Sequence, residues 1–103
     1  MIYVVTLSYL RPLDDVNAHL DGHREWLVQH IKAGRILLTG PLEPRTGGLL
    51  LVSVADRAEL DRMMSEDPFV IHRLVEIEVK AFTPALRAAA FPAEWAAGAK
   101  PIG

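Results

Sequence analysis

A chain of 103 residues, 50% of them hydrophobic, is the size of one small domain and can bury one real core. Its net charge of -2, with 11 Lys and Arg, shows no basic stripe and argues against a nucleic-acid partner. The absence of cysteine excludes disulfides, thiolate chemistry and a Cys-based zinc site.

Ile2 to Leu10 is rich in β-branched and aromatic residues and predicts a strand, ended by Arg11-Pro12. Asp14 and Asp15 offer an N-cap and negative charge for a helix start. That helix is expected to run from Asp15 to Ala33, with Gly34 as its C′ residue. At about 100° per residue, Val16, Leu20, Leu27 and Ile31 fall in one apolar stripe, opposite Asp21, Glu25, Gln29 and Lys32. On the same geometry His23 projects within about 20–40° of the stripe's centre, toward whatever the helix covers.

Arg35 to Leu42 and Gly47 to Val54 predict the second and third strands, joined through Gly40-Pro41 and Pro44-Arg45-Thr46-Gly47-Gly48. These glycines fit neither a P-loop nor a GxGxxG pattern, so turn geometry accounts for them better than an anion cradle. Ile36-Leu37-Leu38 and Leu49-Leu50-Leu51-Val52 are apolar without alternation, which suggests burial on both faces. One helix layer covers only one face, so the other is expected to meet a second subunit. The longest apolar run, Gly48 to Ala55, suits a buried strand and is far short of the roughly 18 residues of a membrane span. With no secretory leader pattern at the start of the chain, the expected location is the cytoplasm.

Asp56 followed by Glu59 has capping-box logic, and the short helix after it aligns Leu60, Met63 and Met64 as core filling. Asp67 falls inside that same stripe. Pro68 disfavours helical geometry at Asp67, so the carboxylate is expected at or near a helix end. Val75, Ile77 and Val79 alternate with Glu76, Glu78 and Lys80 in a fourth strand ending near Phe82. Thr83-Pro84 opens a tail expected to be partly helical, anchored by Phe91 and Trp95 and loose from Ala96 to Gly103. The β-α-β-β-α-β order is the α+β, ferredoxin-like arrangement, with two helices on one face of a four-stranded antiparallel sheet.

His23 and Asp67 thus stand where two helices should be oily. Taken singly, each has a bland reading, as a satisfied core histidine and as a helix-end carboxylate held by backbone N–H groups. A buried imidazole and a buried carboxylate are each costly to desolvate, and the economical solution is that they pair as a His–Asp dyad. His19-x-x-x-His23 has the spacing of a metal pair, but no acidic partner is placed by sequence and no metal is expected. His19 and His30 are expected to flank the stripe near solvent, and His72 to lie at the surface. Trp26 projects toward the edge of the helix face, as core, interface or pocket lining. No Ser or Cys stands in a nucleophile context.

In order, the landmarks are Tyr3-Val4-Val5, His23-Arg24-Glu25-Trp26-Leu27, and Gly34-Arg35-Ile36-Leu37-Leu38-Thr39-Gly40-Pro41. Gly47-Gly48, Asp67-Pro68-Phe69 and a strand closing on Phe82 follow. This series resembles the YciI-like family over residues 1–83, leaving 84–103 as an extension packed on the domain or on a dimer partner. The resemblance implies a dimeric α+β barrel, in which the open sheet faces of two subunits pack together, and a catalytic pair at His23 and Asp67. Trp26, Pro41 and Phe69 are the candidate substrate contacts. Many members carry an Arg three residues before the His, where this chain has Leu20. Among the family's activities, the resemblance points to its chlorohydroxyhydroquinone dehydrochlorinase.

Three functions follow as expectations. The first is a cofactor-independent lyase acting on a small aromatic substrate by general acid–base catalysis, or a proton-shifting isomerase of a small lactone using the same machinery. The second is a non-catalytic small-molecule-binding dimer. The third is a structural dimer in which the dyad serves as a buried polar lock.

Overall fold

Alternation and turn chemistry produce the expected elements in the computed structural model, which describes residues 1–103. In chain order they are β1 (Ile2–Tyr9), α1 (Leu13–Asn17), α2 (Leu20–Lys32), β2 (Ile36–Pro41), β3 (Gly47–Ser53), α3 (Arg57–Ser65), α4 (Pro68–Ile71) and β4 (Val75–Phe82). The four strands form one antiparallel sheet in the order β2-β3-β1-β4. Val5 lies opposite Leu50 on one side and Val79 on the other, so these residues share the face that the helices cover. Leu60, Met63, Met64 and Phe69 close the core from above. The fold is ferredoxin-like.

The first helix departs from expectation. It breaks at Ala18 and His19, where His19 takes φ -114° and ψ 11°, so Val16 belongs to a separate short helix. The stripe on α2 is also centred differently. Its buried residues are His23, Trp26 and His30, while Ile31 is 43% exposed. The cause is ring packing: Phe69, His23, Trp26 and His30 form a row with successive centroid separations of 3.8, 5.9 and 5.2 Å. The first two pairs are stacked and the last meets edge to face, both favoured arrangements of large flat rings in a core. Gly34 stands at C′ with φ +79°, as expected of the residue that ends a helix in the left-handed region.

The second helix begins as its sequence implies. Asp56 accepts a hydrogen bond from the Glu59 N–H at 2.9 Å, and the Glu59 carboxylate accepts one from Ala55 N–H at 3.1 Å. The reciprocal bond is therefore displaced one residue from the usual capping box.

The tail contains no α-helix. Its strands β5 (Leu86–Ala88) and β6 (Lys100–Ile102) pair in parallel around a single 3-10 turn at Ala93–Trp95. Pro84, Pro92 and Pro101 divide the segment into stretches too short for a stable helix. Nor is the end loose: Ala96 and Ala99 are buried and β6 is paired. Phe91 and Trp95 meet edge to face at 5.7 Å and, with Ile2, Leu51 and Phe82, enclose an apolar cavity of about 200 Å³. This covers one corner of the sheet's second face. Elsewhere that face is open, with Leu38 67% exposed. No helix is long and apolar enough to cross a membrane.

Candidate active site

The site begins with the break between α3 and α4. Pro68 forces extended geometry on Asp67 (φ -68°, ψ 124°) and itself occupies the first turn of α4, where a missing N–H costs nothing. Asp67 thereby becomes an N-cap whose Oδ1 accepts the Phe69 N–H at 3.0 Å. The carboxylate is fully buried, and Oδ2 has no hydrogen-bond partner.

From α2, His23 brings Nδ1 to 2.8 Å from the same Oδ1. The close approach depends on Gly22, where a Cβ would lie 3.2 Å from Pro68 Cγ. Trp26 adds a second tie, its Nε1–H donating to the Met63 carbonyl at 3.1 Å. An ionised carboxylate can only accept, so the hydrogen-bond geometry assigns the neutral imidazole's proton to Nδ1 and leaves the Nε2 lone pair free. The imidazole lies flat on the Phe69 ring, at 3.8 Å and 6° between planes.

His23 opens onto a cavity of about 440 Å³ between α2 and the sheet, a volume suited to a small organic ligand. Leu7, Tyr9, Leu27, Leu50 and Phe69 make its apolar wall, Pro41 contributes from β2, and Arg24 and Arg45 also line it. Of the expected substrate contacts, Pro41 and Phe69 line this cavity and Trp26 does not. The Trp26 indole is committed to the core behind His23 and touches a separate groove beside Glu25 and Glu66.

Of the remaining histidines, His72 lies at the surface and His19 is partly exposed, as expected, and the two rings stack at 3.8 Å. No group of three or more acidic or imidazole side chains is placed to hold a metal ion. His30 is buried, contrary to its expected place near solvent. Its Nδ1 accepts the Arg35 Nε–H at 2.9 Å, which an imidazole at the solvent edge would not need. Burial first, then the Arg35 guanidinium, hold its pKa below the usual 6.5, against the opposing pull of Glu66. Folding therefore favours neutral His30, and the unfolded chain binds the extra proton. Its contribution is whole above pH 6.5 and is lost as pH falls from there toward the lowered folded value. Urea unfolding at about pH 7.5 and 5.5 should show a larger loss for the native protein than for His30→Gln.

Sequence reasoning missed Tyr9, Arg24 and Arg45 as cavity residues and Gly22 as the point of contact. Tyr9 was accessible through the period of two that it shares with Tyr3, Val5 and Leu7. The arginines carry no such signal, since a turn residue and an exposed helix residue look alike whether or not a cavity lies beside them.

The model of the YCII-related domain matches residues 1–83. The chain belongs to the YCII-related family. The YCII-related match ends just after β4, and β5, the 3-10 turn and β6 lie beyond it. Among solved structures, this YCII-related protein is similar to the 5-chloro-2-hydroxyhydroquinone dehydrochlorinase TftG from Burkholderia phenoliruptrix AC1100, in complex with 2,5-dihydroxybenzoquinone. The match has a TM-score of 0.71 at 19% identity, over 82% of this chain and 95% of that one. At that identity the likeness is one of fold. No curated protein matches the chain.

Proposed function

We propose that this protein is a cofactor-independent lyase in which His23, oriented by Asp67, moves protons on a small aromatic substrate. The observation that carries the reading is the 2.8 Å contact that occupies His23 Nδ1 while the ring faces the cavity. The aromatic ligand of TftG supports the substrate class, and its activity supports dehydrochlorination of a chlorinated hydroxyhydroquinone.

In that reaction Nε2 accepts the proton of the hydroxyl beside the chlorinated carbon, and the imidazolium returns it to that carbon as the ring ketonises. Nε2 then takes a second hydroxyl proton, the freed oxygen electrons move into the ring and expel chloride with the C–Cl electron pair, and the product is a hydroxybenzoquinone with net loss of HCl. The ring is oxidised as chloride leaves, so the step needs no external oxidant. The buried Asp67 carboxylate stabilises the imidazolium that forms, and the proton then passes to solvent. Incubation with a chlorinated hydroxyhydroquinone should release chloride in step with quinone absorbance. Tight binding without chloride release would favour a non-catalytic binding protein.

The same reading includes a homodimer packed through the second sheet face. Leu38, Val4 and Leu49 leave apolar surface there that the tail does not cover. Sedimentation should give a dimer, and Leu38→Glu should shift it toward monomer. A native chain that sediments as a monomer at micromolar concentration would count against this assembly.

A further inference from the structure

We infer that the cavity takes its ligand as an anion and that Arg45 is the specificity-determining residue that receives the ionised oxygen. The inference deepens the proposed acid–base reading and rests on the same cavity. Arg24 and Arg45 line this cavity together with His23, and no Asp or Glu does. Asp67, the carboxylate behind His23, is fully buried and committed to His23 Nδ1 and the Phe69 N–H.

Neither arginine is neutralised elsewhere, since every ion pair in the chain uses other residues. Arg45 is nevertheless held in place. Its Nη2 donates to the neutral Asn17 Oδ1 at 3.0 Å, and its guanidinium stands 6.0 Å from the centroid of the Tyr9 ring, itself a wall of the cavity. A guanidinium oriented by an amide oxygen and an aromatic ring keeps its full charge and its remaining donors for a ligand.

The chemistry agrees with such a cation. Proton abstraction by His23 leaves negative charge on a substrate oxygen, and a fixed guanidinium at the cavity both attracts an already ionised ligand and stabilises that charge. The class recognised is therefore a small molecule that carries or develops negative charge on an oxygen, either an acidic hydroxyl or carboxyl group already ionised or the hydroxyl that gives its proton to His23.

The test measures binding by titration calorimetry on the full chain. The probes are 2,5-dihydroxybenzoquinone (ionised near neutral pH), its uncharged 2,5-dimethoxy ether, and adipate as a non-aromatic anion. The ionised quinone should bind at least about tenfold more tightly than the ether, and Arg45→Gln should weaken it about tenfold while changing the ether by less than about twofold. Arg24→Gln should act in the same direction, and added salt should weaken anion binding in the native protein. Equal affinity for charged and uncharged quinones, or an Arg45→Gln variant that binds the anion as the native chain does, would overturn the inference. Failure of both anions to bind would also overturn it. Arg45-dependent binding of adipate with no binding of either quinone would uphold the anion site and remove the aromatic substrate of the proposed function.

Discussion

Replacing Asp67 by Asn is expected to leave a folded protein that has lost about 10²–10⁴-fold in turnover, the range of a general-base contribution. The corresponding change in a serine-protease triad costs about 10⁴-fold and marks the upper end. The asparagine has two choices. With its oxygen in the place of Oδ1 it keeps the bonds to His23 Nδ1 and Phe69 N–H, but the imidazolium loses its counter-charge. Flipped, it donates to Nδ1, moves the imidazole proton to Nε2 and strips the Phe69 N–H of its acceptor. Either way the amide occupies a fully enclosed position, at a cost of about 1–3 kcal/mol in stability for an unsatisfied polar group. His23→Ala should be at least as damaging to turnover. The double variant should be little worse than the worse single one, because the two residues act as a unit. Initial rates of chloride release from the three variants, with unfolding curves as a control, decide it, and independent additive losses would assign the residues separate roles.

Gly47→Ala should destabilise the protein by about 3 kcal/mol or more, a large effect for one methyl group. A Cβ at Gly47 would fall 1.7 Å from the Leu7 carbonyl oxygen and 3.1 Å from Ser8 Cα. These are backbone atoms of the neighbouring strand, where Ser8 is the register partner of Gly47, so no side chain can swing aside to relieve the clash. The β1–β3 pair has to separate at the end that carries the turn with Arg45, and the cavity opens there as well. Gly40→Ala is the natural control, since nothing lies within 4 Å of its Cβ position, and it should stay within about 0.5 kcal/mol. Urea unfolding of both variants measures the contrast. Similar stabilities would mean that the strand pair tolerates what its geometry forbids.

The β-α-β-β-α-β order of elements and the His23–Asp67 pairing are legible in the sequence because each rests on local rules. Val75, Ile77 and Val79 alternate, Gly34 ends a helix, Pro68 bars helix at Asp67, and two ionisable groups on apolar stripes demand compensation. What the sequence concealed came from tertiary packing. Carrying a 100° period through Ala18 and His19 treated two helices as one. Weighting aliphatic residues puts Ile31 inside and His30 outside, whereas the edge-to-face contact of His30 with Trp26 and the Arg35 hydrogen bond decide the reverse. Trp26 was placed among the substrate contacts because the Met63 carbonyl that holds its indole lies 37 residues away in the chain. Gly22 and Gly47 mark close approaches that exist only once two elements are brought together.

The most direct measurement is the nitrogen-15 spectrum of the His23 imidazole, assigned by comparison with His23→Gln, followed over a pH series and read where the spectrum shows the neutral ring. Asp67 at 2.8 Å from Nδ1 predicts a protonated, pyrrole-like Nδ1 and a bare, pyridine-like Nε2. In Asp67→Ala that preference should weaken. A native His23 carrying its neutral proton on Nε2 would contradict the proposed base, because the nitrogen facing the cavity could then only donate.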